Sequence, residues 1–190
     1  MKRAKLFWGA LILFMAVQLC IVLWQAIKYG SIIYFGKTLY LAVEPFDPYD
    51  AFRGRYIRLN FADNYIKAEG IGKEFFVTFT TNDDGISKPH KVFNSKPDAD
   101  EAYLKIKSYR SVWYDDGIYI SYPFERFYMQ EDLAIEVDAN RDIFDVDNKP
   151  LAVVKVLDGV GVLSDVMING TSISKYVQNL REQNPSLQTR

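Results

Sequence analysis

The sequence predicts a mainly β, α+β chain: an N-terminal transmembrane helix followed by an antiparallel barrel-like or sandwich domain with one or two short helices. Three observations carry this. Leu6 to Ile27 are apolar except for Gln18 and Gln25. Beyond them, short runs of alternating apolar and polar residues recur at near-regular spacing, the pattern of half-buried strands. Between those runs stand Asn-Asp-Asp-Gly at 82–85, Asp-Asp-Gly at 115–117, Asp-Gly at 158–159 and Asn-Gly at 169–170, which tolerate the positive φ angles of tight turns.

As a helix, the 22 residues from Leu6 to Ile27 reach roughly 33 Å, close to the thickness of a bilayer's hydrocarbon core. Charges stand only at its ends: Lys2, Arg3 and Lys5 before, Lys28 after. A cleaved signal peptide has an apolar core of ~7–15 residues and a small-x-small site. This core is longer, and Ala26-Ile27-Lys28 and Tyr29-Gly30-Ser31 fit such a site poorly. A lipoprotein attached at Cys20 is disfavoured by Leu19 before it and by the apolar run beyond. The expected arrangement is an uncleaved anchor over 1–28, a juxtamembrane connector over 29–36, a β-rich domain over 37–181 and a polar tail over 182–190. Three cations before the span against one after it orient the N-terminus to the cytoplasm and the domain away from it. Gln18 and Gln25 share a helical face and can bond to a neighbouring helix at ~1 kcal/mol or less each; the plainer reading is one interfacial and one tolerated glutamine.

Lys37 to Glu44 alternates Leu39, Leu41 and Val43 against Thr38, Tyr40 and Ala42, and reads as the first strand. Pro45 and Pro48 then rule out helix and lock an extended corner that bears Asp47 and Asp50. After Arg53 and Gly54 the chain alternates again to Phe61, with Tyr56, Arg58 and Asn60 on one face and Ile57, Leu59 and Phe61 on the other. Further strands are expected at Glu74–Thr81, His90–Phe93, Ala102–Lys107, Ser111–Tyr114, Ile118–Tyr122, Ala152–Leu157 and Val160–Ile168. Met129, Leu133 and Val137, spaced by four, suit a helix from Gln130 to Asn140, although Leu133, Ile135 and Val137 also alternate; helix is the reading adopted. Ile173, Tyr176, Val177 and Leu180 form a helical stripe behind Ser172 or Ser174 as N-cap.

The composition narrows the chemistry. The chain has 23 basic and 24 acidic side chains; without the four cations of the first 28 residues, 19 basic remain against 24 acidic, a net charge of −5. A mildly acidic domain without a basic run argues against nucleic acid. The single cysteine forbids an intrachain disulfide. The single histidine, His90, forbids a multi-histidine metal site, reads as a surface residue beside Pro89, and has no Gly-x-Ser-x-Gly partner. Asp138, Asn140, Asp142, Asp145 and Asp147 resemble a calcium loop, but Ile143 and Lys149 stand where it needs Gly and Glu. The glycines of Gly159-Val-Gly161 do not open a helix, so no dinucleotide loop is indicated. Asn169-Gly170-Thr171 matches a glycosylation sequon but reads as a turn. A Ser–Lys membrane peptidase is excluded because Glu44 to Phe52, where the nucleophile would stand, lack Ser, Thr and Cys. Asp47 and Asp50 can share a proton or cation, but two aspartates around a proline more often cap turns, with Arg53 in pairing range. Neither a cofactor nor a metal is expected.

Pro45, Asp47, Pro48, Asp50, Arg53, Gly54, Tyr56 and Leu59 resemble the Pro-x-Asp-Pro-x-Asp-x-x-Arg-Gly-Asp-Tyr-x-x-Leu-x-Tyr signature of the GDYXXLXY family, small membrane-anchored bacterial proteins without an assigned activity. The likeness extends to the anchor, to Glu125-Arg126-Phe127-Tyr128 followed by Glu131, and to the hairpin ending at Ile168-Asn169-Gly170. Arg55 stands where the family carries Asp, and Phe61 where it carries Tyr. The resemblance implies a place in the bacterial inner membrane and a multi-spanning membrane partner. It also makes Asp47, Asp50, Arg53, Gly54, Tyr56, Leu59, Glu125, Arg126 and Glu131 the motif residues.

These readings point to an extracytoplasmic binding or assembly module without catalysis, its partner met by an amphipathic surface of Tyr40, Tyr49, Tyr56, Tyr65, Tyr119 and Tyr122 unless half of these fill the core. One rival is an envelope hydrolase using Asp47, Asp50 or Glu125. The other is a regulatory sensor in which a small ligand shifts the packing of the anchor.

Overall fold

Helix α1 (Lys2–Phe35) carries the whole apolar segment and continues through the expected connector without a break. The computed structural model describes residues 2–44, 56–68, 70–97, 101–107, 112–114 and 117–183. The Pro45-to-Arg55 corner lies outside them, as does most of the polar tail. A helix satisfies its own backbone donors and acceptors, the condition for crossing lipid. Phe7–Phe35 is long and apolar enough to do so, and its most apolar stretch is not buried against the body. The helix ends where Gly36 N–H donates to Ile32 O at 2.9 Å.

The body follows at once. Its strands are β1 (Lys37–Glu44), β2 (Tyr56–Arg58), β3 (Asn60–Phe61), β4 (Tyr65–Ile66), β5 (Glu74–Thr81), β6 (Ser87–Phe93), β7 (Tyr103–Lys107), β8 (Val112–Tyr114), β9 (Gly117–Tyr119) and β10 (Arg126–Tyr128). Helix α2 (Glu131–Ala139) and two 3-10 turns lead to β11 (Leu151–Leu157), β12 (Val160–Ile168), β13 (Thr171–Ser172) and α3 (Ile173–Gln183). The chain is thus α+β and mostly strand, in antiparallel sheets after a long apolar helix.

The largest sheet runs β13-β12-β11-β1-β3 and a second runs β6-β5-β7. Two junctions join them into a barrel-like circuit. Tyr40 N–H of β1 donates to Ser87 Oγ of β6 at 3.2 Å, and Lys105 N–H of β7 donates to Gly159 O at 2.8 Å. Asp115 and Asp116 lie outside the described residues, but the last two expected turns are built from the expected residues. Asp158 and Gly159 have φ of 49° and 79°, and Asn169 and Gly170 have 50° and 76°, the paired positive values of type I′ hairpins. Asn169-Gly170 is therefore a turn by geometry as well as by composition. One core lies within the circuit. Leu39, Leu41 and Val43 of β1 meet Phe75 and Val77 of β5, Leu104 and Ile106 of β7, and Ala152, Val154 and Val156 of β11. Leu133 and Val137 of α2 with Ile173 and Val177 of α3 close one side. The spacing by four thus prevails over the alternation in the 130–140 segment, because a helix buries Leu133 and Val137 and leaves Ile135 exposed.

The second expected strand is in fact two. Tyr56–Arg58 pairs with β10 and Asn60–Phe61 pairs with β1. The chain changes neighbours at Leu59, whose N–H donates to Glu125 O at 2.8 Å. The predicted faces are kept: Leu59 and Phe61 are buried, while Tyr56, Arg58 and Asn60 are not.

Candidate functional site

Tyr56–Arg58 of the first motif stretch and Arg126–Tyr128 of the second are neighbours in space. In the β2–β10 ladder Tyr56 lies opposite Tyr128, Ile57 opposite Phe127 and Arg58 opposite Arg126. Phe127 and Ile57 turn inward onto the core; the tyrosines and arginines share the outer face. Two like charges directly opposite would repel, and the surroundings relieve this. Glu125 lies 3.7 Å from the Arg58 guanidinium and accepts a bond from Ser121 Oγ at 3.0 Å. The Arg126 guanidinium sits 4.9 Å from the centre of the Tyr56 ring, a cation–π contact contributing about 0.5–1 kcal/mol when exposed. Tyr56 and Tyr128 stack obliquely at 5.8 Å.

Beside this ladder opens a groove of about 720 Å³. Its walls come from Pro123 to Arg126 and Tyr128, from the Gly159–Leu163 segment of the last hairpin, from Lys105, and from Tyr29 of α1. The site therefore begins on the long apolar helix. Gly161 lines it because a side chain there would strike Phe124, 2.6 Å from where a Cβ would stand, and Leu104 at 2.7 Å. Two of its charged groups have partners: Lys105 Nζ bonds Glu74 at 2.7 Å and holds the Glu74 carboxyl below its ordinary pKa, while Glu125 is held by Arg58 and Ser121.

The other predicted positions divide. Asp47, Asp50, Arg53 and Gly54, with Tyr49 and Arg55, lie outside the described residues. Leu59 is core. Glu131 opens α2. Of the tyrosines proposed as a surface, Tyr40 and Tyr119 are exposed, while Tyr122 is buried at 2% exposure and stacks with Phe124 at 5.5 Å. Phe61, the departure from the signature, packs edge-on against Tyr122 at 4.8 Å and Phe124 at 5.8 Å. His90 is exposed on β6. Ser172 precedes α3 at the expected cap, but its hydroxyl donates to Asp165 Oδ1 at 3.0 Å. Among the described residues no cluster of three or more His, Cys, Asp or Glu is placed to hold a metal.

Sequence reasoning missed Tyr29, Lys105 and the Gly159–Leu163 wall, because nothing local links a helix end, a strand and a hairpin. It also missed the tie between α2 and α3. Arg181 bonds Glu136 through Nε and Asp132 through Nη1, the latter at 3.0 Å. The guanidinium lowers the Asp132 pKa, and the two carboxylates, Glu136 first, raise that of Arg181.

The family profile described as GDYXXLXY protein matches residues 18–166. That stretch takes in half of the apolar helix, both motif segments and most of the body. No curated protein and no solved structure matches the chain. A profile match over more than three quarters of the sequence establishes that the chain belongs to the GDYXXLXY family.

Proposed function

We propose that this protein is a membrane-anchored binding or assembly module of the bacterial envelope, acting by contact rather than by catalysis. Helix α1 stays in the bilayer, and the body stands on the extracytoplasmic side with the motif ladder and its groove as the contact surface. One observation carries the reading: Glu125, Arg126 and Tyr128 of the second motif stretch line a groove that also takes in Tyr29 of α1. A continuous helix from the apolar segment into Ile32, which is buried against the body, supports retention of that segment over its removal. The engagement of Glu125 by Arg58 and Ser121 weighs against its use as a free general acid or base, which needs an unoccupied carboxyl aimed at substrate. Extraction of the full chain in mild detergent tests the proposal. A membrane protein is expected to co-purify, and to be lost when Tyr128, 66% exposed, is changed to Ala; recovery of a lone monomer from native membranes would overturn it.

A further inference from the structure

We infer that the groove holds an anionic phospholipid of the bilayer in which the chain is anchored, with the phosphate against Arg126. This rests on the proposal that the groove is a contact surface, and supplies the chemical class of one ligand. Three observations converge. The first is position. Tyr29 lines the groove and belongs to the candidate span Phe7–Phe35. It follows Lys28, the first charge after the apolar run, and ~20 helical residues suffice to cross the hydrocarbon core. Tyr29 is therefore at the level of the headgroups, where aromatic side chains of spanning helices gather. The groove opens where headgroups already are.

The second is charge. Of the lining groups, Lys105 is paired with Glu74 and Glu125 with Arg58. Arg126 instead sits over the Tyr56 ring and has no carboxylate partner among the described residues. A guanidinium fixed in this way, with N–H donors left over, suits a phosphate oxygen pair. The third is the remaining wall. Half-buried Val160, Val162 and Leu163 offer an apolar surface on β12, which packs beside α1; it fits an acyl chain or glycerol backbone and is wasted on a free ion.

The test is native mass spectrometry of the full chain released from nanodiscs that contain phosphatidylglycerol and phosphatidylcholine in equal amounts. The wild type is expected to retain phosphatidylglycerol several-fold over phosphatidylcholine. Arg126→Gln should abolish that preference, Arg126→Lys should keep part of it, and Lys88→Gln, which removes a cation paired with Asp63 elsewhere, should leave it intact. Thermal unfolding of each variant confirms folding. Equal retention of both lipids by the wild type, or an undiminished preference in Arg126→Gln, would sink the inference. So would displacement of the lipid by millimolar inorganic phosphate, which would identify a free-ion site. The two readings fail separately: a co-purified protein without bound lipid removes this one alone, and lipid on a chain that captures no protein removes the assembly role alone.

Discussion

Tyr122 sits in the core with its hydroxyl donating to Asp63 O at 3.1 Å, and burial, aided by the nearby Asp63 charge, pushes its phenol pKa well up. The sign follows. Below the ordinary phenol pKa of about 10 both states are neutral and the contribution is complete; as pH rises from there toward the raised value, only the unfolded chain gains by ionising. The folded protein is expected to lose stability above about pH 10, and Tyr122→Phe should soften that alkaline limb while costing about 1 kcal/mol at neutral pH for the lost hydrogen bond. Thermal unfolding from pH 7 to 11 checks both. The same pocket explains Phe61. It packs among Tyr122 and Phe124, so at this position the chain gives up a hydroxyl that a tyrosine would have to satisfy inside an aromatic cluster. Alternation in the sequence was enough to place Leu59 and Phe61 inward. It could not reveal that Tyr122 is the ring they meet, since a tyrosine suits core and surface equally.

Between elements, the α2–α3 tie makes its own prediction. The Asp132 pKa is lowered by Arg181, so the tie is present above the ordinary aspartate pKa and is lost as pH falls through the lowered one. Arg181→Met should therefore lower the unfolding temperature by a few degrees at pH 7, and the difference from wild type should shrink as pH drops toward 3. A gap that persists in acid would refute the electrostatic account. Elements differed in how plainly the sequence announced them. β1, β5 and β12 have the predicted ends: β1 alternates, while β5 and β12 are rich in β-branched or aromatic residues and stop at Asn82 and at Asn169-Gly170. β6 begins earlier than expected, at Ser87. The strand takes in Pro89, which a sheet interior would reject; β6 lies at a sheet edge, where a missing donor costs no ladder bond, and a register shift opposite Thr78 and Phe79 absorbs the proline. β10 had no signal of its own: three residues, two of them aromatic, become a strand only because β2 lies alongside.

For the molecule as a whole, one residue joins the long apolar helix to the body. Gly36 separates α1 from β1, and a Cβ there would collide with Ile32 O and stand 3.1 Å from the backbone of Val156. Gly36→Ala should cost about 1–3 kcal/mol through that overlap, and should appear as faster proteolysis between residues 29 and 36 while the body's own protection is kept. With Ile32 sunk into the body beside this joint, the helix and the sheet have no slack between them. The 29 residues of Phe7–Phe35 extend roughly 43 Å against a hydrocarbon slab of about 30 Å, and such an excess is relieved by leaning or by standing proud of the surface. A stiff coupling passes either adjustment to every strand at once. On the anchored reading proposed above, membrane thickness therefore sets the pose of the whole body.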